Sequence, residues 1–233
     1  MVANQFDDLG NEYFNISGGH VHLYYVETKA KIINNYLADD FLVLDVGCGV
    51  GEHAKLVREN CKNICGIDLS LEMVKSANKN FDVTFASMGD ATRLPFKDSS
   101  FDVVYTSNTL HHIKDLISIK NTISELARVS KKYIIIFEVN SMNPFCKYLL
   151  FRLCPYDRGD ERIPTKTDMK TIFEELGLKD VNIIHKSFMP MFCPKFLMPF
   201  FFHFERILEK IIPAISVGMV YIITLDRSED GYL

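Results

Sequence analysis

Asp45-Val46-Gly47-Cys48-Gly49-Val50-Gly51 is the stretch whose reading decides the fold. It closes an apolar run, Phe41–Val46, that reads as a buried strand, and it leads into Glu52–Asn60, which is helical in composition. Glycines at alternate positions let the backbone turn sharply and come close to a ligand that a Cβ would hold off. In this strand-turn-helix setting the segment reads as a nucleotide-binding loop.

Outward from the loop the same alternation continues. Strands are expected at Asn63–Ile67, Val83–Ala86, Phe101–Thr106, Tyr133–Val139, Val181–Ile184 and Met219–Leu225. Helices are expected at Leu69–Asn80 (opened by Ser70), at Leu116–Val129, and at Thr167–Leu176, ended by Gly177. Unbroken apolar strands such as Ile134-Ile135-Ile136-Phe137, alternating with helices, imply a parallel sheet covered on both faces. The fold class is therefore α/β, a doubly wound and mostly parallel sheet. With 233 residues the chain has room for one sizeable domain, here 41–233. Residues 1–40 precede the first strand as an N-terminal helical segment, with a helix expected at Val26–Leu37, and insertions that would cap the sheet are expected at about 140–165 and 188–215.

Three features narrow the ligand. A dinucleotide fingerprint needs a glycine where this chain has Glu52, and an acidic side chain at a helix start repels a pyrophosphate. The Gly-Lys-Ser/Thr of a phosphate-binding loop is missing. Asp68, at the end of the second strand, is placed to accept hydrogen bonds from ribose hydroxyls, and Asp90 after the third strand to accept from an adenine amino group. Capping and turn chemistry are the plainer roles for both. An adenosine without phosphates fits this set, and S-adenosylmethionine, a cationic sulfonium, tolerates acidic neighbours.

Val43-Leu44-Asp45-Val46-Gly47-Cys48-Gly49-Val50-Gly51, Gly66-Ile67-Asp68-Leu69-Ser70, Gly89-Asp90-Ala91 and Asn108-Thr109-Leu110-His111-His112-Ile113 come in this order. Together with Leu94-Pro95-Phe96 and the Phe101–Val104 run, they resemble the class I methyltransferases, in particular the small-molecule and quinone-type group called methyltransferase type 11. The resemblance is close over roughly Leu42–Val139 and only in outline elsewhere. It implies a Rossmann-like sheet of seven strands with the last inserted antiparallel. It also implies that Asp45, Gly47 and Gly49 line the methionine half of the cofactor, that Asp68 holds the ribose and Asp90 the adenine, that Asn108 faces the cofactor, and that Cys48, Leu69 and Ala91 are further cofactor contacts. In related enzymes the N-terminal region covers the cofactor, so Tyr13 and His20 are further expected contacts.

Methyl transfer asks mainly for proximity and alignment, and for a base only where the acceptor must lose a proton. His112 and His111 follow the fourth strand and are the expected catalytic pair, with packing beside the cofactor as their plainer role. Glu138, ending the fifth strand, is a further residue that would face the acceptor. The Phe-rich segment places Phe200, Phe204, Ile207, Leu208 and Ile211 at helical spacing. Such a face suits packing on the sheet, a homodimer contact, a hydrophobic cap over the acceptor, or peripheral contact with a membrane. The expected activity is S-adenosylmethionine-dependent methylation of a small, hydrophobic or lipid-like acceptor, leaving S-adenosylhomocysteine. The alternative is a non-catalytic S-adenosylmethionine-binding module acting through a partner protein. A net charge of −4 speaks against a phosphate-backbone partner, so no nucleic acid is expected. The six scattered cysteines lack paired metal-ligand spacing and suit a reducing cytoplasm, so no metal is expected. No secretory start or membrane-spanning run is visible.

Overall fold

A computed structural model describes residues 19–81, 85–143, 162–186, 193–212 and 216–226. Helix α1 (His20–Asn34) precedes β1 (Val43–Val46), α2 (Glu52–Val57), β2 (Ile64–Asp68), α3 (Leu71–Phe81) and β3 (Ala86–Met88). After β4 (Phe101–Ser107) come a 3-10 turn at Leu110–His112, α4 (Leu116–Val129) and β5 (Ser130–Val139). Then follow α5 (Lys166–Glu175), β6 (Asp180–Lys186), α6 (Met198–Ile211) and β7 (Gly218–Thr224). One sheet of order β3-β2-β1-β4-β5-β7-β6 gathers all seven strands. β7 runs antiparallel between β5 and β6, and the other pairs are parallel. This is a doubly wound, seven-stranded, mostly parallel sheet, as the resemblance implies.

Strand alternation sorts the core into two layers. Val43, Val103, Tyr105, Ile135 and Phe137 face one side, where α1 and α2 add Ala30, Ile32, Ile33 and Val57. Leu44, Val46, Val104, Ile134 and Ile136 face the other, against α4 and α5 through Ile119, Ile123, Leu126, Met169 and Phe173. The helix caps on this second side are local. Asp115 accepts from the Ser118 N–H at the start of α4, and Thr165 forms a capping box with Asp168 at the start of α5. Ser70 opens α3, its Oγ accepting from the Met73 N–H.

Several boundaries differ from the sequence expectation. The N-terminal helix begins at His20 rather than Val26, because Val21 is buried with Cys193 beneath Tyr24, Tyr25, Met198 and Phe201. β5 starts at Ser130, running straight out of α4, and β3 starts at Ala86 rather than Val83. Tyr13 and residues 144–161 of the first cap insertion lie outside the described residues. So do Pro213 and part of the second insertion.

β3 is short, and one side chain ties it to the body. Asn78 of α3 accepts from the N–H groups of Phe85 and Ala86 at 2.6 and 2.7 Å, and donates to the Ala86 carbonyl at 2.9 Å. Phe85 and Ala86 are buried, so Asn78→Ala leaves polar backbone groups unpaired, which costs about 1–3 kcal/mol. We expect a fall of that size in urea denaturation. Placement of Asp90, just after β3, should loosen with it.

Candidate active site

The parallel strands end at a common edge, and the crevice outside it is a cavity of about 640 Å³. Gly47, Cys48, Gly49, Asp68, Leu69, Asp90, Ala91 and Asn108 all line it, together with His111, His112 and Glu138. Residues read as ligand-holding and residues read as chemical thus share one space. Two of the expected contacts do not. His20 turns away, its Nε2 donating to the Cys193 carbonyl at 2.6 Å. Asp45 lies behind the loop, buried and accepting from the Tyr105 hydroxyl at 2.7 Å. It shares a face with Tyr105 because the two are register partners on neighbouring strands. Burial, against the pull of the Tyr105 hydroxyl and with a smaller push from Asp68, raises the Asp45 carboxyl to about 7.

The loop is built for close approach. Gly47 has φ +73° and Gly49 φ +52°. An added Cβ at Gly49 would meet nothing within 4 Å, so the backbone there borders open cavity. The Gly49 N–H donates to Asp68 Oδ2 at 2.8 Å while the Ser70 N–H donates to Oδ1 at 2.9 Å. Asp68 therefore fixes the loop, and each carboxylate oxygen can accept more than one hydrogen bond. Asp90 is exposed at the rim, its Oδ1 accepting from the backbone N–H and the hydroxyl of Thr92, each at 2.8 Å.

Deeper in, His111 Nδ1 donates to Glu138 Oε1, and the His111 N–H donates to Oε2 at 3.2 Å. The Val139 N–H adds a bond to Oε1 at 2.9 Å. Burial would raise the Glu138 carboxyl, but His111, the Val139 N–H and Lys29 together hold it below the usual carboxylate range. The His111 and His112 rings lie 4.2 Å apart. Burial, reinforced by His111, pushes His112 down to about 2, so its ring stays neutral.

The roof is α1, whose His22, Tyr25, Val26, Thr28, Lys29 and Ile32 face the cavity. His22 Nε2 and Glu52 Oε2, 2.6 Å apart, join the roof to the first residue of α2. Lys29 Nζ donates to Ser107 Oγ at 2.9 Å. Sequence reasoning passed over Lys29 and His53. The only signal for Lys29 was its place four residues after Tyr25 and three before Ile32, on one helical face.

No described residue of α6 lines the cavity. The expected aromatic cap is therefore not a wall of this cavity among the described residues. Phe201 and Met198 pack on α1, while Phe196, Phe200, Phe204, Ile207 and Ile211 form an exposed stripe along the outer side. No helix among the described residues is long and apolar enough to cross a membrane.

Residues 44–136 match the model of a family described as a methyltransferase domain. Demethylmenaquinone methyltransferase of Streptomyces avermitilis is 31% identical over 56% of this chain and 55% of its own length. The chain spans about half, or less, of the length of the curated relatives it matches. Among solved structures, a SAM-dependent methyltransferase of Thermotoga maritima, described as a possible histamine N-methyltransferase, superposes with a TM-score of 0.67 at 18% identity. That match covers 95% of this chain and 98% of the other. Magnesium protoporphyrin IX methyltransferase of Synechocystis with bound SAH gives 0.65 at 16% identity, covering 96% and 97%.

Proposed function

We propose that this chain, with a methyltransferase domain at residues 44–136 on the class I methyltransferase fold, moves a methyl group from S-adenosylmethionine to a small acceptor. One observation carries the reading. The open backbone at Gly49 and the carboxylates of Asp68 and Asp90 border the same cavity as the His111–Glu138 pair. The acidic surroundings of the loop (Glu52, Asp68, Asp90) fit a cationic, phosphate-free nucleoside and disfavour NAD. In this reading Gly47, Cys48 and Gly49 border the methionine half, Asp68 and Leu69 the ribose, Asp90 and Ala91 the adenine. Asp45 contributes by stiffening β1 beneath the loop.

When bound, the cofactor supplies a methyl carbon already activated by its sulfonium. The chain supplies orientation and a route for the acceptor's proton. Nδ1 of His111 is held on Glu138, which sets the tautomer and leaves Nε2 as the basic nitrogen. Glu138 then stabilises the imidazolium that forms. His112, kept neutral by burial, serves as a wall and not as the base. Phe137, Val139, Met219 and Val220 give that end of the cavity apolar walls, which supports an acceptor with an apolar body, as does the similarity to a quinone-type enzyme. The α6 stripe lies apart from the acceptor and is the surface available for a partner contact.

S-adenosylhomocysteine should raise the melting temperature, with a stabilisation of about 2.7 kcal/mol at roughly one hundred times its Kd, and NAD should not. Methyl-labelled S-adenosylmethionine in a cell extract should then yield label in a small molecule that partitions into organic solvent. Label confined to the aqueous phase would keep the transfer and remove the apolar acceptor. Cofactor binding with no transfer to any fraction would favour the non-catalytic binding module, and a shift with NAD alone would overturn the reading.

A further inference from the structure

Lys29, His22, His53 and His111, with the carboxylates Glu52 and Glu138, are among the residues that line the cavity. Their pairing is uneven. Glu52 is bonded to His22 and Glu138 to His111. Lys29 is held by the neutral hydroxyl of Ser107, and among the described residues no carboxylate oxygen comes within 4.0 Å of its Nζ. The ammonium also stands 5.8 Å from the centroid of the Phe137 ring, which marks its position over an apolar wall.

An ammonium so placed gains most from an anion brought in with the ligand, because low-dielectric walls strengthen the attraction and keep out competing water. Ser107 ends β4 and His111 lies four residues further on, so the cation and the base border the same part of the cavity. We propose that Lys29 forms an oxyanion subsite, and that the acceptor is an acidic hydroxyl compound, a phenol or enol, bound with its ionised oxygen on the Lys29 ammonium. This rests on the methyl-transfer reading and deepens it by naming the acceptor class. The acceptor O–H bond breaks, its proton passes to Nε2 of His111, and the electron pair stays on the oxygen facing Lys29. That oxygen then takes the methyl group as the carbon–sulfur bond breaks, and the sulfur keeps the bonding pair. An amine acceptor would place its developing positive charge against the same ammonium and is disfavoured.

Every charged group facing Lys29 enters its titration. Burial lowers its ammonium to about 8, while Glu138 of β5 and Glu52 of α2 pull it back up. His53 of α2 faces it too, and burial, with Lys29 adding to it, holds that imidazole well below its usual range. The subsite should therefore hold an oxyanion below a pH of about 8 and release it as Lys29 loses its proton.

The test uses the full chain and 4-nitrophenol, whose ionised form is read directly by its absorbance. Below the solution pKa of this phenol, the protein should bind it as nitrophenolate. Lys29→Met should weaken that binding by roughly 10- to 100-fold, as expected for loss of one hydrogen bond to a charged group. Lys29→Arg should retain most of it. Binding of the neutral isostere 4-nitroaniline should change little in Lys29→Met, which separates loss of charge from loss of shape. Failure to bind nitrophenol, binding only as the neutral phenol, or equal weakening of both probes would overturn the subsite. Titration with S-adenosylhomocysteine in parallel keeps the two ideas apart. Cofactor binding without nitrophenolate binding removes only the Lys29 subsite. Nitrophenolate binding without cofactor binding keeps the oxyanion subsite but removes the methyl-transfer reading, and with it the acceptor assignment.

Discussion

Gly47→Ala should weaken S-adenosylhomocysteine binding by at least about 100-fold, or about 2.7 kcal/mol. Two effects add. Gly47 sits at φ +73°, in the left-handed region, where an L side chain costs roughly 1–2 kcal/mol. Its new Cβ would stand 2.3 Å from Thr109 Oγ1 and 2.7 Å from Thr109 Cγ2, too close for either atom to stay. Thr109 cannot move alone, since it follows Asn108, itself at φ 55°, whose N–H donates to the Phe137 carbonyl at 2.9 Å. The disturbance would pass from the cofactor loop into the end of β4. Gly47→Ala combined with Thr109→Ala should recover the steric part and leave the left-handed strain. Calorimetric titration of the single and double variants checks both, and unchanged affinity in the single variant would mean that the loop does not hold the ligand.

Glu138→Gln should lower kcat by about 10²-fold or more while leaving S-adenosylhomocysteine affinity within a few-fold. The amide would keep the volume but lose the charge that fixes His111 Nδ1–H and steadies the imidazolium. His111→Asn should fall as far. His112→Ala should lose much less, because burial keeps His112 neutral and Glu138 orients the His111 ring instead. The pH dependence has a definite sign. Glu138 is held below its ordinary range in the folded chain, so its stabilisation is present above the unfolded carboxylate pKa. That stabilisation is lost as pH falls through the lower folded value. Acid unfolding of Glu138→Gln should therefore show a shallower limb below the ordinary carboxylate range. Equal kcat losses for His111→Asn and His112→Ala would return the base to an open question.

The loop from Asp45 to Gly51 was legible because its information is local. A buried strand, left-handed turns and a helix start leave marks within a few residues of one another, and Asp68 carries the same kind of mark at the end of the next strand. Asp45 was only half legible. Its chain position beside the loop suggested a ligand contact, but pleat alternation turns its side chain away from the cavity and onto Tyr105, far along the chain. Lys29 was legible only as one position on a helical face, since its meaning depends on α1 crossing the ends of β4 and β5 and meeting Ser107. The Phe-rich helix shows the limit of periodicity most plainly. Spacing announces that a face is apolar, and the stripe from Phe200 to Ile211 exists, but nothing in it tells which neighbour, if any, covers that face.

The sheet order divides the proposed duties between two sides of the crevice. Everything assigned to the cofactor comes from the ends of β1, β2 and β3 and the start of the loop after β4, on one side of the crevice. The proton route and oxyanion subsite come from β4, β5 and α1, and the far wall from β7. α1 stands before residue 44 and β7 after residue 136, outside the stretch that matches the family. The ammonium proposed for the acceptor's oxygen and the far wall thus come from outside the family-matched stretch, while the proposed donor contacts come from within it. A designer wishing to retarget this chain would begin at Lys29, not at Gly47.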